Sequence, residues 1–331
     1  MKKYVDFTQG NIVRAIILFS IPLIMGELLQ NLYNSVDALV VGNLIDQHAL
    51  AAVTVCGMIA NMVINFFNGM SVGSNIVVAK ASGRGDTDRL CKAICAAFSC
   101  AVVLGLLLAL LSVIAAPRLL QLAGAQPNYF KDALTYLRVY LAGVMFTVIY
   151  NNAAGILRAI GRSDIPFRIL LIACCLNIVL DILLTGVMRL GILGVGIATV
   201  LSQGVSAMLV YHAINRAIRQ PCFNLRIMYE EGGSVISEML RVMAPLFWVM
   251  ALREILLGTL RGCGRNFFPT MLSLIGMVGI RQVFLAVTMH WKFTVENIYY
   301  CYPVAWIATL LLLVIYYLTV RKRLLPSKEK I

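Results

Sequence analysis

The chain has 331 residues, of which 60% are hydrophobic and 13% charged, with a mean hydropathy of +0.86. That charged fraction is about half of the ~25% typical of soluble domains, so a water-soluble fold is excluded and the bilayer is the first partner. The net charge of +13 would suit nucleic acid on a soluble fold, but here the basic residues follow membrane topology, and no nucleic-acid partner is expected.

Taken in order, the apolar runs number nine. Each is measured against the ~20 residues that a spanning helix needs. Ile16–Val41 comes first and carries Glu27 and Asp37. It is too long and too acidic for a signal peptide, and it lacks a small-residue cleavage site. Ala49–Ala79 and Ala93–Ala116 are free of charge, as are Val139–Leu157, Leu190–Ile214 and Asn297–Val320. Ile169–Val187, Val242–Leu260 and Phe267–His290 each carry one or two charges. With the N-terminus inside, the first six spans leave Lys80, Arg84, Arg89, Lys92, Arg158, Arg162, Arg168, Arg216, Arg219 and Arg226 inside. Only Arg118, Lys131, Arg138 and Arg189 fall outside. This is the positive-inside bias, and it predicts a multi-pass protein of the plasma or inner membrane with a cytoplasmic N-terminus.

Cysteines and histidines carry little chemistry. None of Cys91, Cys95, Cys100, Cys174 and Cys175 forms a CxxC pair, and His48, His212 and His290 stand singly near span ends. No zinc site, Walker motif or nucleophile triad is present, so no enzyme and no cofactor are expected. An internal repeat is present instead. Leu157-Arg158-Ala159-Ile160-Gly161-Arg162 leads to Pro166, and Leu260-Arg261-Gly262-Cys263-Gly264-Arg265 leads to Pro269. Both read L-R-x-x-G-R-x-x-x-P between two apolar runs, and repeated halves are the common plan of secondary transporters.

Polar residues inside the spans are the candidate site. An ionised Asp at mid-bilayer costs ~2.5–3.5 kcal/mol, so it survives where it meets water, a partner or an ion. Asp37 lies late in the first span and Asp181 lies in the fifth. Asn177 and Asp181 are four apart and share a helix face. Thr199 adds a hydroxyl from the sixth. Two carboxylates, an amide and a hydroxyl form an oxygen-only set that suits Na+ or a shared proton. The alternative is that these groups only join helices by hydrogen bonds, worth ~0.6 kcal/mol on average. Asn151 of the fourth span is a further candidate. Asn61, Asn65, Asn68 and Asn75 form a stripe on the second span that either lines a wet cavity or packs on a polar neighbour. Pro22 frees a carbonyl and should bend the first span, beside Glu27.

The N-terminal half closely resembles the multidrug and toxic compound extrusion (MATE) family. The resemblance is carried by Thr8-Gln9-Gly10-Asn11-Ile12, Pro22, Asn31-Leu32-Tyr33-Asn34-Ser35-Val36-Asp37 and Val41-Gly42-Asn43. Further matches are Ala51-Ala52-Val53, Gly69-x-x-Val72-Gly73, Gly83-x-Gly85-Asp86 and Asn177-Ile178-Val179-Leu180-Asp181. The last ~90 residues are similar to the last three helices of the family's second lobe, while the first three helices of that lobe have no counterpart. The resemblance implies an all-α polytopic membrane helix bundle, with one complete six-helix lobe and about three helices of a second. The expected divisions are residues 1–218 as the N-terminal lobe, 219–241 as a cytoplasmic linker and 242–331 as the partial C-terminal lobe. It also implies multidrug efflux by antiport of small hydrophobic organic cations against H+ or Na+. The coupling-cation site would be at Asp37, Asn177, Asp181 and Thr199, with Asn151 added. Tyr33, Asn61, Asn65, Asn68, Met250 and Glu254 are candidates for the substrate cavity. Glu254 could equally pair with a neighbouring arginine, and Met243, Phe247, Trp248 and Met250 could be ordinary packing.

Two further readings stand beside this one. A chain with an incomplete second lobe is a remnant without turnover, or completes itself by self-association of two copies. A lipid-linked-saccharide flippase of the same superfamily would favour a cavity lined by Arg and Lys, whereas the candidates here are acids and amides. Nine spans also place Arg261, Arg265 and the basic end at Arg321-Lys322-Arg323 outside, against the positive-inside bias. An eight-span topology in which Val242–Leu260 does not cross removes that conflict.

Overall fold

In the computed structural model the described residues are 47–243, 247–262, 267–281 and 295–324, with single positions between 21 and 45 and between 283 and 288. All regular structure among them is helical. The described positions of 21–43 are helical and are called α1. There follow α2 (Gln47–Gly83), α3 (Thr87–Leu122), α4 (Phe130–Ala159), α5 (Asp164–Asp181), α6 (Ile192–Ile218) and α7 (Leu225–Met243). Then come α8 (Phe247–Gly262), α9 (Phe267–Leu274) and α10 (Val295–Leu324). Six stretches among the described residues are long and apolar enough to cross a membrane: Ala49–Gly83, Thr87–Leu122, Phe130–Ala159, Asp164–Val187, Ile192–Ile218 and Pro303–Val320. The chain is a polytopic membrane helix bundle, as the composition requires. The first and eighth expected spans fall partly outside the described residues. Of the seventh, the described part includes α8, and residues 244–246 lie outside the described ones.

Contacts group residues 25–243 into one compact unit and 244–331 into another, the second also taking Ile21, Pro22 and Ile24. In the first unit α4 is central, packing on α2, α3 and α6, and α5 packs on α6. Small residues let these helices close up. A Cβ at Gly143 of α4 would lie 2.4 Å from Val200 Cγ2 of α6, and one at Gly155 would lie 2.6 Å from Asn75 Cγ of α2. Between α2 and α4 runs a polar seam. Asn151 Nδ2 donates to Asn68 Oδ1 at 2.9 Å, and Asn152 Nδ2 donates to Ser74 Oγ at 2.8 Å. With no water in the hydrocarbon, such groups must find each other.

Helix ends follow local chemistry. Asp86 caps α3 by accepting from the Arg89 amide at 3.1 Å. In the first copy of the repeat, Gly161 takes φ +80° while its amide donates to Arg158 O and that of Arg162 donates to Leu157 O. This closes α4 with the 6→1 and 5→2 bonds of a glycine C-cap. Pro166 then falls in the first turn of α5, where its missing N–H costs nothing, and its carbonyl accepts from the Tyr150 hydroxyl. In the second copy, α8 ends at Gly262 and α9 starts at Phe267, and the residues between lie outside the described ones.

The stretch expected to be a linker contains α7, an amphipathic helix packed on α2 and α3. Val235 packs on Ala96, and Gly232 approaches Cys100. Its start is pinned where the Asn224 amide donates to Ser99 Oγ at 2.9 Å and the Cys95 thiol donates to Pro221 O at 3.7 Å. In the second unit, α10 packs on α8 and α9 around Leu257, Leu260 and Leu313, with Phe268 stacked on Tyr316.

Candidate functional site

Asn177 of α5 sits between two acids and a phenol. Its surroundings orient the amide: two carboxylates can only accept, and the Tyr33 hydroxyl on the other side can donate. Asn177 Nδ2 therefore donates to Asp37 Oδ1 at 2.9 Å and to Asp181 Oδ2 at 3.2 Å, while its Oδ1 accepts from Tyr33 at 3.3 Å. The carboxyl groups of Asp37 and Asp181 lie within hydrogen-bond reach of each other. All three side chains are enclosed: Asp37 is 8% exposed, Asn177 and Asp181 0%. Neither acid faces lipid, and both feel any charge placed between them. Asp181 Oδ1 is buried with no donor, so the pair has a vacant acceptor position.

Each residue is delivered by helical spacing. Tyr33 and Asp37 are four apart on α1, and Asn177 and Asp181 are four apart on α5, so each helix aims two polar groups at the other. From α6, Thr199 (2% exposed) and Ser202 (0%) flank the Tyr33 hydroxyl. Both hydroxyls also donate to their own helix, Thr199 to Val195 O at 3.0 Å and Ser202 to Thr199 O at 2.9 Å. Their lone pairs remain available to a ligand. Directly after Asp181 the helix widens. Residues Ile182–Val187 form a π turn, with the Met188 amide donating to Leu183 O, five residues back. Such turns interrupt α-helices mostly at functional positions.

The structure brings together four predicted residues, Asp37, Asn177, Asp181 and Thr199, and moves Tyr33 from the substrate candidates to the acid cluster. Tyr33 and Ser202 could have been found by spacing, since Tyr33 precedes Asp37 by one turn and Ser202 follows Thr199 by three residues. Asn151 instead bonds Asn68 of α2, so Asn68 belongs to the polar seam. Asn65 is half-buried and Asn61 exposed on the same helix. In the other unit Glu254 pairs with its neighbour Arg253, Met250 is buried and Trp248 is largely exposed. Glu27 lies outside the described residues, as do the side chains of Met243 and Phe247.

Comparison with known proteins gives this arrangement a context. The MatE family model matches residues 22–183, a stretch that contains Tyr33, Asp37, Asn177 and Asp181. The chain is 33% identical over 206 residues to the probable multidrug resistance protein YpnP of Bacillus subtilis, matching 62% of this chain and 46% of that one. It is 28% identical over 218 residues to the probable multidrug resistance protein YoeA of the same organism, covering 65% and 47%. It thus spans about half the length of the curated relatives it matches. The fold is similar to that of a multidrug resistance MATE family transporter of the MOP superfamily solved in an outward-facing conformation. There the TM-score is 0.73 at 24% identity, over 98% of this chain and 73% of that one. Residues 22–183, just under half of the chain, thus match the MATE family, and the chain has a multi-pass, all-helical fold similar to that of MATE transporters.

Proposed function

We propose that the chain serves multidrug efflux by secondary antiport, with Asp37 and Asp181 as the coupling pair. The observation that carries this reading is the Asn177 amide bridging two buried carboxylates from different helices. Two negative charges held this close, away from water, repel strongly unless a positive charge joins them. A proton between the carboxyls, or a Na+ held by Asp37, Asp181, Asn177 and Thr199, supplies it. The vacant acceptor on Asp181 is where such a cation binds. No resident cofactor or catalytic turnover is needed, because the driving force is the cation gradient.

A small hydrophobic organic cation competes for the same negative charge. Cation entry weakens its hold, and by linkage the bound drug weakens cation binding to the same degree. Asn61 and Asn65 remain candidate drug contacts in the first unit, and Met250 and Glu254, taken by themselves, in the second. The names of the relatives, which are multidrug resistance proteins, favour organic cations as the substrate class. The basic residues at 80–92, 158–168 and 216–226 favour a cytoplasmic N-terminus in the plasma membrane.

The test is efflux of a fluorescent organic cation from cells expressing the chain, against Asp37→Asn and Asp181→Asn. Each substitution keeps the volume and removes the charge, and each should abolish export. Equal export from all three removes the coupling role. The matched length, about half that of the relatives, favours a second reading: a chain that keeps the cation site without turnover. Cation binding with no export from any of the three supports it.

A further inference from the structure

The unit of residues 25–243 holds a second polar feature. At the end of the bundle where α1 joins α2, α3 joins α4 and α5 joins α6, a cavity of about 600 Å³ opens. Ile45, Ala49, Leu190 and Leu193 give it apolar walls, and Asn128, Asp132 and Thr135 give it polar ones. Among its described lining residues Asp132 is the sole charge. The first turns of α4 and α6 bring partial positive charge to this end. Asp132, in the first turn of α4, offsets it.

The α6 side of this cavity adjoins a buried hydroxyl on the helix that carries Asp181. Leu193 is followed by Gly194, where a Cβ would lie 2.8 Å from Thr185 Oγ1. Thr185 is 4% exposed, and its hydroxyl has no partner. A buried hydroxyl left so costs ~1–3 kcal/mol. The wide turn explains how it arises. A threonine in an α-helix bonds the carbonyl four back, as Thr199 does. Thr185 lies within the turn of five-residue hydrogen bonds between Ile182 and Val187, where the α-helical spacing is not kept. Thr185 stands four residues past Asp181 on the same chain segment and against Gly194, the residue after the cavity-lining Leu193. On the α4 side, Thr135 precedes Tyr136, which packs on Gly196 and lies 6.0 Å from the Tyr140 ring. Tyr140 is within electrostatic reach of Asp37.

We propose that this cavity is the port through which a small monovalent cation reaches the Asp37–Asp181 pair, with Asp132 at its mouth and the Thr185 hydroxyl as the oxygen between. The proposal rests on the coupling reading of that pair. The cavity lies at the end of the bundle with few basic residues.

The test uses the full chain in lipid nanodiscs and follows deuterium entry by infrared absorption at the carboxyl stretch. Bands are assigned by their loss in Asp37→Asn and Asp181→Asn. A Thr135→Cys variant is capped with a bulky methanethiosulfonate reagent, with the reagent on the parent chain as control, and reductant removes the cap. Capping should slow exchange of the assigned band at least tenfold, and reductant should restore it. Thr185→Val should slow it without any cap, and a cap on Arg84→Cys at the opposite end should leave it unchanged. In a second arm Na+ is added. A proton port shows cap sensitivity for deuterium alone, and a Na+ port shows it also for displacement of the band by Na+. A normal band whose exchange ignores the Thr135 cap overturns the port alone. The lack of any band lost with Asp37→Asn or Asp181→Asn overturns the coupling pair, and the port with it.

Discussion

Gly143 of α4 lies beneath Val200 of α6, so close that a Cβ at 143 would stand 2.4 Å and 2.7 Å from the two Val200 methyls. Because Val200 is β-branched, it has little rotamer freedom in a helix with which to move aside. Gly143→Ala is expected to cost ~1–3 kcal/mol, the range for overpacking. Val200→Ala in the same chain should recover most of that. Thermal unfolding in detergent reads both, and an unchanged midpoint for Gly143→Ala would refute the close approach.

The seam between α2 and α4 invites a double-mutant cycle. Asn68→Ala, Asn151→Ala and the pair should show a coupling of ~0.6 kcal/mol, within the ~1.7 kcal/mol seen at most for polar pairs in membranes. Zero coupling in reversible unfolding would mean that the two amides do not bond. Export of a fluorescent cation should be less sensitive to Asn151→Ala than to Asn177→Leu, since Asn151 sits on Asn68 and not on the acids.

Gly161 closes α4 with a φ of +80°, where a side chain is strained. Gly161→Ala should lower stability by ~1–2 kcal/mol. Gly83, at the end of α2 with open space around its Cβ direction, should accept Ala with no loss. Equal melting of the two variants would argue against the C-cap assigned to the repeat motif.

Cys222 lies outside the spans, in the turn before α7, and burial pushes its thiol up to about 12. The thiolate is the reactive form. With the folded pKa raised, that form should stay scarce through pH 9 and emerge only as the pH nears 12. Iodoacetamide labelling followed by peptide mass spectrometry from pH 7 to 9.5 should show Cys222 nearly silent in the folded chain and fully labelled after unfolding. Rapid labelling of the folded chain at pH 8 would contradict its burial in the cluster that includes Ile94, Phe98 and Ile214.

How much of this was legible in advance depends on whether one helix or several decide it. Low charge and long apolar runs determined the solvent, the helical class and most span positions, because a bilayer leaves a backbone few ways to satisfy its hydrogen bonds. Spacing along one helix put Asn177 and Asp181 on a shared face, and the price of an acid in hydrocarbon marked Asp37 and Asp181 as a pair to watch. Which neighbour each face meets was decided only by tertiary packing. That is why Tyr33 joined the acids, Asn151 turned to Asn68, and residues 225–243 became a helix against α2 and α3. The azimuth at which two helices meet depends on the small notches between them, such as Gly143, Gly155 and Gly194. A local widening, as after Asp181, shifts every later side chain around the axis, and no periodic pattern in the sequence announces it.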